Sequence, residues 1–137
     1  VASCLIHRDF RTGNFMVDEG QLSGILDWEF TGWGDWREDI GWFTATCWRF
    51  GRANPVAGGI GELSDFMEGY GEVSPRSLSP EELRYWQVMA HVRWAIVAVQ
   101  QSERHLSGQQ RSLELALTGR MVPELELEIL ELTKGAV

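Results

Sequence analysis

Four polar residues near the start of the sequence have types and spacing that suit one kind of chemistry. His7, Asp9 and Asn14 form the pattern H-x-D-x-x-x-x-N, and Asp27 follows at the end of an apolar stretch. On a loop that faces a cleft, Asp9 could accept the proton of an attacking hydroxyl, whereas Asn14 and Asp27 offer the oxygen ligands that Mg²⁺ prefers. Such a set would serve phosphoryl transfer from a nucleotide, because that reaction needs an oriented hydroxyl and metal ions held against the phosphates.

Apolar segments on either side of these residues predict the elements that position them. Residues 4–6, 15–17 and 22–26 are short apolar runs, which predict small strands, and an acidic turn separates the last two. These two strands would form a β-hairpin whose far end brings Asp27 back toward the polar loop of residues 7–14. The apolar flanks would anchor the loop while its polar side chains face outward.

Helical patterns dominate the rest of the sequence, which predicts an α+β, mostly helical fold on a small β-hairpin platform. After a break at the glycines of residues 32–34, Asp35 can cap a helix running to about residue 50. Ser79 followed by Pro80 is typical of the start of a long helix, which we expect to end near residue 105. Its middle is apolar on nearly every side, which predicts a central buried helix. Shorter helices are predicted over residues 62–70, 109–117 and 123–132, the last of which also fits a strand pattern.

Composition limits the class of protein and of partner. The 137 residues, 44% hydrophobic and 23% charged, predict a single globular domain over residues 1–137. A net charge of −8 provides no basic face for nucleic acid, and the longest apolar run, residues 95–99, is too short to cross a membrane. Cys4 and Cys47 are the only cysteines, which fits a reducing, cytoplasmic compartment.

The spacing of the polar loop and of the acidic motifs after it carries a family resemblance. The segments H-R-D-F-R-T-G-N, I-L-D-W-E and G-D-W-R-E-D, within residues 6–39, resemble the core motifs of the aminoglycoside phosphotransferase family, usually H-G-D-x-x-x-x-N, I-D-W-E and G-D-x-x-x-D-L. Residues 104–120 resemble a branch of that family whose members are in some proteins joined to acyl-CoA dehydrogenase domains. Arg8 replaces the usual glycine, as in protein kinases, but Asp27 is followed by Trp28-Glu29 and no A-P-E motif follows, which disfavours a protein kinase.

The resemblance implies a role for each matched residue. Asp9 would be the catalytic base, and Asn14 and Asp27 the ligands of Mg²⁺, with ATP as the phosphate donor. Three supporting residues are also implied, namely His7, Arg11 and Asp39. His7 would hold the shape of the loop, Asp39 would brace it from a helix, and Arg11 would either approach the transferred phosphate or form a surface ion pair.

Two parts that a phosphotransferase needs are missing from the sequence. A glycine-rich loop would cover the nucleotide phosphates, and a strand lysine would pair with them. The glycine cluster at residues 58–61 follows the catalytic loop instead of preceding it, and its pattern predicts a flexible loop. Lys134 lies at the end of the sequence, outside any suitable strand. We therefore interpret the chain as the C-terminal lobe of a kinase-like phosphotransferase whose N-terminal ATP-binding lobe lies outside it. The fragment alone is expected to be inactive.

The acceptor and the alternatives stay open at this stage. The expected acceptor is a hydroxyl on a small molecule, and the dehydrogenase-linked branch favours a metabolite over an antibiotic. One set of acidic residues would attract a cationic substrate, although a solvated helix face is its more common role: Glu62, Asp65, Glu68 and Glu72. The alternative function is a catalytically silent binding or scaffolding module that docks through its tryptophans, although core or lobe packing is the more common role of such residues.

Overall fold

Two separate pairs of antiparallel strands carry the predicted loops. The computed structural model describes residues 3–134. Strand β1 (Cys4–Ile6) pairs with β4 (Gly32–Gly34), and β2 (Phe15–Asp18) pairs with β3 (Gln21–Ile25). The second pair is the predicted hairpin.

The pairing of β1 with β4 corrects the prediction that residues 32–34 only interrupt the pattern. Leu5 lies opposite Trp33, with Ile6 opposite Gly32. A side chain at Gly32 would meet the guanidinium of Arg8, and one at Gly34 would meet the side chain of Ile6. The glycines that resemble a break therefore allow the two strands and their neighbours to approach closely.

Within residues 3–134, five α-helices follow the strands. They are α1 (Arg37–Thr44), α2 (Leu63–Val73), α3 (Pro80–Leu106), α4 (Leu113–Gly119) and α5 (Val122–Thr133). Short 3₁₀ turns lie at Thr12–Asn14, Trp28–Phe30 and Thr46–Trp48. The helical interpretation of the last segment is confirmed, and its strand alternative is wrong. No helix within residues 3–134 is both long enough and apolar enough to span a membrane.

Helix α1 ends six residues before the predicted boundary near residue 50. The backbone turns to an extended conformation at Ala45. The carbonyl of Thr44 accepts hydrogen bonds from Nε and Nη2 of Arg49, at 3.1 and 2.6 Å, and from Nε2 of Gln87 at 3.3 Å. Gln87 satisfies this helix-terminal carbonyl from 43 residues away in the chain, which a local pattern of apolar residues does not reveal.

Helix α3 begins with the predicted cap. The amide of Glu82 donates to Oγ of Ser79 at 3.2 Å, and the amide of Ser79 donates to the Glu82 carboxylate at 2.9 Å. This reciprocal pair is a capping box, with Pro80 in the first turn.

The prediction of a central buried helix is wrong for α3. Met89, Ile96 and Val99 are 41%, 55% and 42% exposed, whereas Ala90 and Ala98 are buried. The small alanines lie on the buried stripe, whereas Met89, Ile96 and Val99 face outward.

The described residues fall into two compact units, one up to Gln87 and one from Val88. In the first unit an aromatic cluster packs against the polar loop, with ring centroids 5.0 to 5.7 Å apart: Phe10, Phe15, Phe43 and Phe66. Trp36, Ile40 and Trp42 are also buried there. In the second unit Ala98 and Leu125 are buried.

Candidate active site

The backbone of the polar loop is held from helix α1. The amides of His7 and Arg8 donate to the two carboxylate oxygens of Asp39, each at 2.7 Å. Asp39 lies in the first turn of α1, and His7 is only 3% exposed. One carboxylate thus satisfies two consecutive amides at the point where the chain leaves β1, and these charge-assisted bonds fix the start of the loop.

His7 connects this loop to the segment that carries Asp27. Its Nδ1 accepts a hydrogen bond from the amide of Asp9 at 3.1 Å, so the ring proton lies on Nε2, which donates to the carbonyl of Leu26 at 2.8 Å. The ring also packs against Trp28, with centroids 4.5 Å apart. His7 therefore links the two loops.

The carboxylate of Asp9 lies at the centre of the loop and is only slightly exposed. Its Oδ1 accepts from the indole N–H of Trp42 at 3.0 Å, and its Oδ2 accepts from the amide nitrogen of Asn14 at 2.7 Å. Nε of Arg11 lies 3.2 and 3.3 Å from the two oxygens. A buried carboxylate needs such partners, and here three donors from different positions hold it in place.

Asn14 is buried, and its side-chain amide nitrogen and amide oxygen have different roles. Its amide nitrogen also donates to the Asp9 carbonyl at 2.8 Å, which fixes the orientation of the side chain. Its amide oxygen accepts no hydrogen bond from the described residues. The backbone carbonyl of Asn14 accepts from the amide of Leu26 at 2.8 Å. Leu26 is therefore bonded to the loop through both its amide and its carbonyl.

Asp27 comes directly after this doubly held residue. It adopts a left-handed backbone conformation, with φ 66°, which is uncommon for residues other than glycine and recurs at functional sites. Its side chain is exposed, and its carboxylate forms no hydrogen bond or ion pair with a described residue. No direct contact joins Asp27 to Asp9 or Asn14, but the chain brings Asp27 to the same pair of loops.

Asn14 and Asp27 suit a hard cation. A neutral amide oxygen and a carboxylate are the donors that Mg²⁺ takes, and Mg²⁺ commonly uses one or two protein groups together with water and substrate phosphates. In residues 3–134 no group of three or more His, Cys, Asp or Glu side chains could hold a metal. The two ligands predicted here are compatible with that finding, since one of them is an asparagine.

Arg11 forms its ion pair with Asp9 itself rather than with a surface acid. Its guanidinium also lies over the ring of Trp48, 5.0 Å from the centroid, and its side chain is 27% exposed. A role near the transferred phosphate stays a prediction.

The loop of residues 51–61 is hydrogen-bonded to the polar loop of residues 7–14. The hydroxyl of Thr12 donates to the carbonyl of Gly58 at 2.6 Å, and the amide of Gly58 donates to the carbonyl of Phe43 at 3.1 Å. Gly58 has φ 58°, and a Cβ there would overlap the Phe43 ring and the Thr12 hydroxyl. The prediction that residues 58–61 lie in a loop is confirmed, and the glycine at position 58 allows close packing beside the polar loop.

Sequence reasoning missed Trp42 as a partner of Asp9. Trp42 is one of several tryptophans that follow the polar loop in the sequence, and its spacing does not distinguish it from the others. In the structure Trp36 and Trp42 are buried, whereas Trp28 and Trp33 are 49% and 73% exposed. The acidic set defined above, at positions 62, 65, 68 and 72, is exposed, as in a solvated helix face.

Comparison with known proteins gives this site a context. No curated protein matches the chain. A crystal structure of a protein assigned as an aminoglycoside phosphotransferase from Ralstonia eutropha JMP134 is similar, with a TM-score of 0.77 at 19% identity. The match covers 96% of this chain and 43% of that protein, so the chain spans less than half of its length. This likeness confirms a kinase-like, mostly helical α+β fold.

The family is shown by sequence. A family model described as the phosphotransferase enzyme family matches residues 1–95, which include the whole polar loop, both acidic motifs and helix α1. The chain belongs to the phosphotransferase enzyme family.

Proposed function

We propose that the parent protein is an ATP- and Mg²⁺-dependent phosphotransferase that transfers the γ-phosphate to a hydroxyl of a small molecule. The observation that carries this proposal is the environment of Asp9. The carboxylate of Asp9 is only 9% exposed and accepts hydrogen bonds from the buried side chains of Trp42 and Asn14, which fix its orientation as a general base requires. Family membership supports the reaction class.

In the proposed reaction Asp9 orients the acceptor hydroxyl and takes its proton as the oxygen attacks the γ-phosphorus. The bond from that phosphorus to the bridging oxygen breaks, and ADP leaves with the electron pair. Asn14 and Asp27 would hold Mg²⁺, which when bound neutralises charge on the phosphates. His7 and Asp39 keep the loop in place through the hydrogen bonds described above.

The remaining parts of the enzyme are inferred from family resemblance. An N-terminal lobe would bind and cover ATP, since this sequence has no glycine-rich phosphate loop before the catalytic loop. We infer a metabolite as acceptor, and an acyl-CoA dehydrogenase domain as a further partner, from the resemblance of residues 104–120. A cytoplasmic location fits the supply of ATP and the presence of only two cysteines.

The test is an assay of the full-length parent protein with ATP and a panel of hydroxyl compounds. The panel contains aminoglycosides, choline, sugars and hydroxyacyl thioesters, and phosphorylated product is identified by mass spectrometry. We expect Mg²⁺-dependent transfer to at least one class, and Asp9→Asn should lower kcat by about 10²- to 10⁴-fold.

Asp18→Asn is the matched control, because Asp18 is an exposed carboxylate at the end of β2. It should leave kcat unchanged. Absence of transfer to every acceptor, or full activity of Asp9→Asn, would contradict the proposed function. Thermal melting of both variants separates lost chemistry from lost folding.

A further inference from the structure

Trp42 makes a contact with Asp9 that burial of its ring alone does not require. Its indole N–H donates to Oδ1 of Asp9 at 3.0 Å, across 33 residues of sequence, and the side chain is only 4% exposed. A buried tryptophan needs a partner for this N–H, but a backbone carbonyl would serve equally well. Here the partner is the carboxylate proposed as the base.

Helix α1 connects this contact to the brace on the loop. Trp42 follows Asp39 by three residues, so the two side chains lie on the same face of the helix. Asp39 holds the loop backbone through the amides of His7 and Arg8, while Trp42 holds the side chain that this backbone carries. One rigid element therefore sets both the position and the orientation of the carboxylate.

The donors on the carboxylate differ in how firmly they are held. Trp42 on Oδ1 and Asn14 on Oδ2 are both buried, and together they define the plane of the carboxylate. Arg11 has a long side chain that is 27% exposed, so it is the donor most easily exchanged for a substrate hydroxyl. Removing the indole N–H would leave Oδ1 of Asp9 to the more exposed Arg11, while Asn14 still holds Oδ2.

We propose that Trp42 is a positioning residue, whose indole N–H holds Asp9 in the orientation that accepts the substrate proton. This inference rests on the proposed function. The N–H is required in addition to the ring volume, because a bicyclic ring without it fills the same space but removes the buried donor from Oδ1 and leaves that oxygen to Arg11.

The test uses the full-length parent protein and separates kcat from KM. Trp42→Phe removes the N–H while keeping an aromatic ring, and we expect kcat to fall about 10- to 100-fold, with KM for ATP and acceptor changed less than about threefold. The control is Trp36→Phe, a second largely buried tryptophan, which packs on Tyr70 at 5.5 Å. It should leave kcat within about twofold, because it donates no hydrogen bond to the loop.

A second replacement guards against a folding defect in Trp42→Phe. Benzothienylalanine at position 42 keeps the bicyclic ring and puts sulfur in place of the N–H, and the same loss of kcat is expected. Unchanged kcat with benzothienylalanine would overturn the positioning role.

A readout that does not depend on activity tests the contact itself. In nitrogen–proton correlation spectra the Trp42 indole signal is identified by its absence in Trp42→Phe, and Asp9→Asn should shift that signal. An unshifted signal would overturn the contact. Absence of activity in the unaltered protein would instead overturn the proposed function, whereas an active protein insensitive to loss of the N–H overturns only the role of Trp42.

Discussion

Arg8 has a backbone conformation that glycine adopts most easily. Its φ is 67°, in the left-handed region, and the family motif usually has glycine at this position. The strain costs on the order of 1–2 kcal/mol for a residue with a side chain. The guanidinium contributes a contact to Glu38, with Nε 3.7 Å from the carboxylate, and a hydrogen bond to the Trp33 carbonyl at 3.3 Å. Both are partly exposed, so they offset the strain only in part.

We therefore expect Arg8→Gly to change the free energy of unfolding by less than about 1 kcal/mol, because relief of strain compensates for lost contacts and for the flexibility of glycine. Arg8→Val should destabilise by about 2 kcal/mol or more, since a β-branched residue tolerates positive φ poorly. Urea denaturation of both variants measures the difference. Equal stability of the two would contradict the left-handed conformation.

Single residues of the site differ in how far sequence could predict them. The pattern of His7, Asp9 and Asn14 is local, and the resemblance pointed to Asp27 and Asp39. Trp42 could not be identified, because its role depends on a hydrogen bond across 33 residues and on which face of α1 meets the loop. The hydrogen bonds to the backbone of Leu26 could not be predicted either, because backbone groups are the same whatever the side chain.

At the scale of elements, the start of α3 is joined to the start of α1 by an arginine between two acidic groups. Arg37 forms ion pairs with Asp35 and with Glu82. The hydrogen bond from Arg37 lowers the pKa of Asp35, and the amide of Ser79 is the main cause that lowers the pKa of Glu82. The unfolded chain therefore binds more protons than the folded one in acid.

This linkage predicts how stability depends on pH. The contribution of both carboxylates is fully present above their ordinary pKa values of 3.8 and 4.5, and it is lost as pH falls from about 5 through the lowered values. Glu82→Gln should make the free energy of unfolding fall less steeply as pH decreases through this window. Glu81→Gln, on the same turn, is the control and should leave the slope unchanged. Denaturation at several pH values between 3 and 7 measures both slopes, and identical slopes in all three proteins would contradict the assignment.

The exposed face of α3 leads to a second prediction for an element. Ile96 is 55% exposed, so Ile96→Ala should cost less than about 1 kcal/mol of stability. Ala98 is fully buried two residues later, so Ala98→Leu should cost about 1–3 kcal/mol through overpacking. Chemical denaturation checks the order of the two effects. The reverse order would show that the buried stripe lies on the other side of the helix.

At the scale of the whole molecule, the chain carries the proposed base and metal ligands without a recognisable phosphate cover. We expect the purified 137-residue chain to release no ADP from ATP and to transfer no phosphate, because the γ-phosphate would lack the groups that position it. Mass spectrometry with the acceptor panel above checks this, with the full-length parent protein as positive control. Phosphate transfer by the 137-residue chain would contradict the prediction.

The sequence by itself determined the polar loop, the hairpin after it, the capped start of α3 and the mostly helical class, because turn residues, caps and apolar periods act over a few positions. Only the tertiary structure decided the pairing of β1 with β4, the early end of α1 at Thr44, the exposed face of α3 and the hydrogen bond from Trp42 to Asp9. Each of these depends on groups that are far apart in the chain, and their contacts form only when the elements pack together.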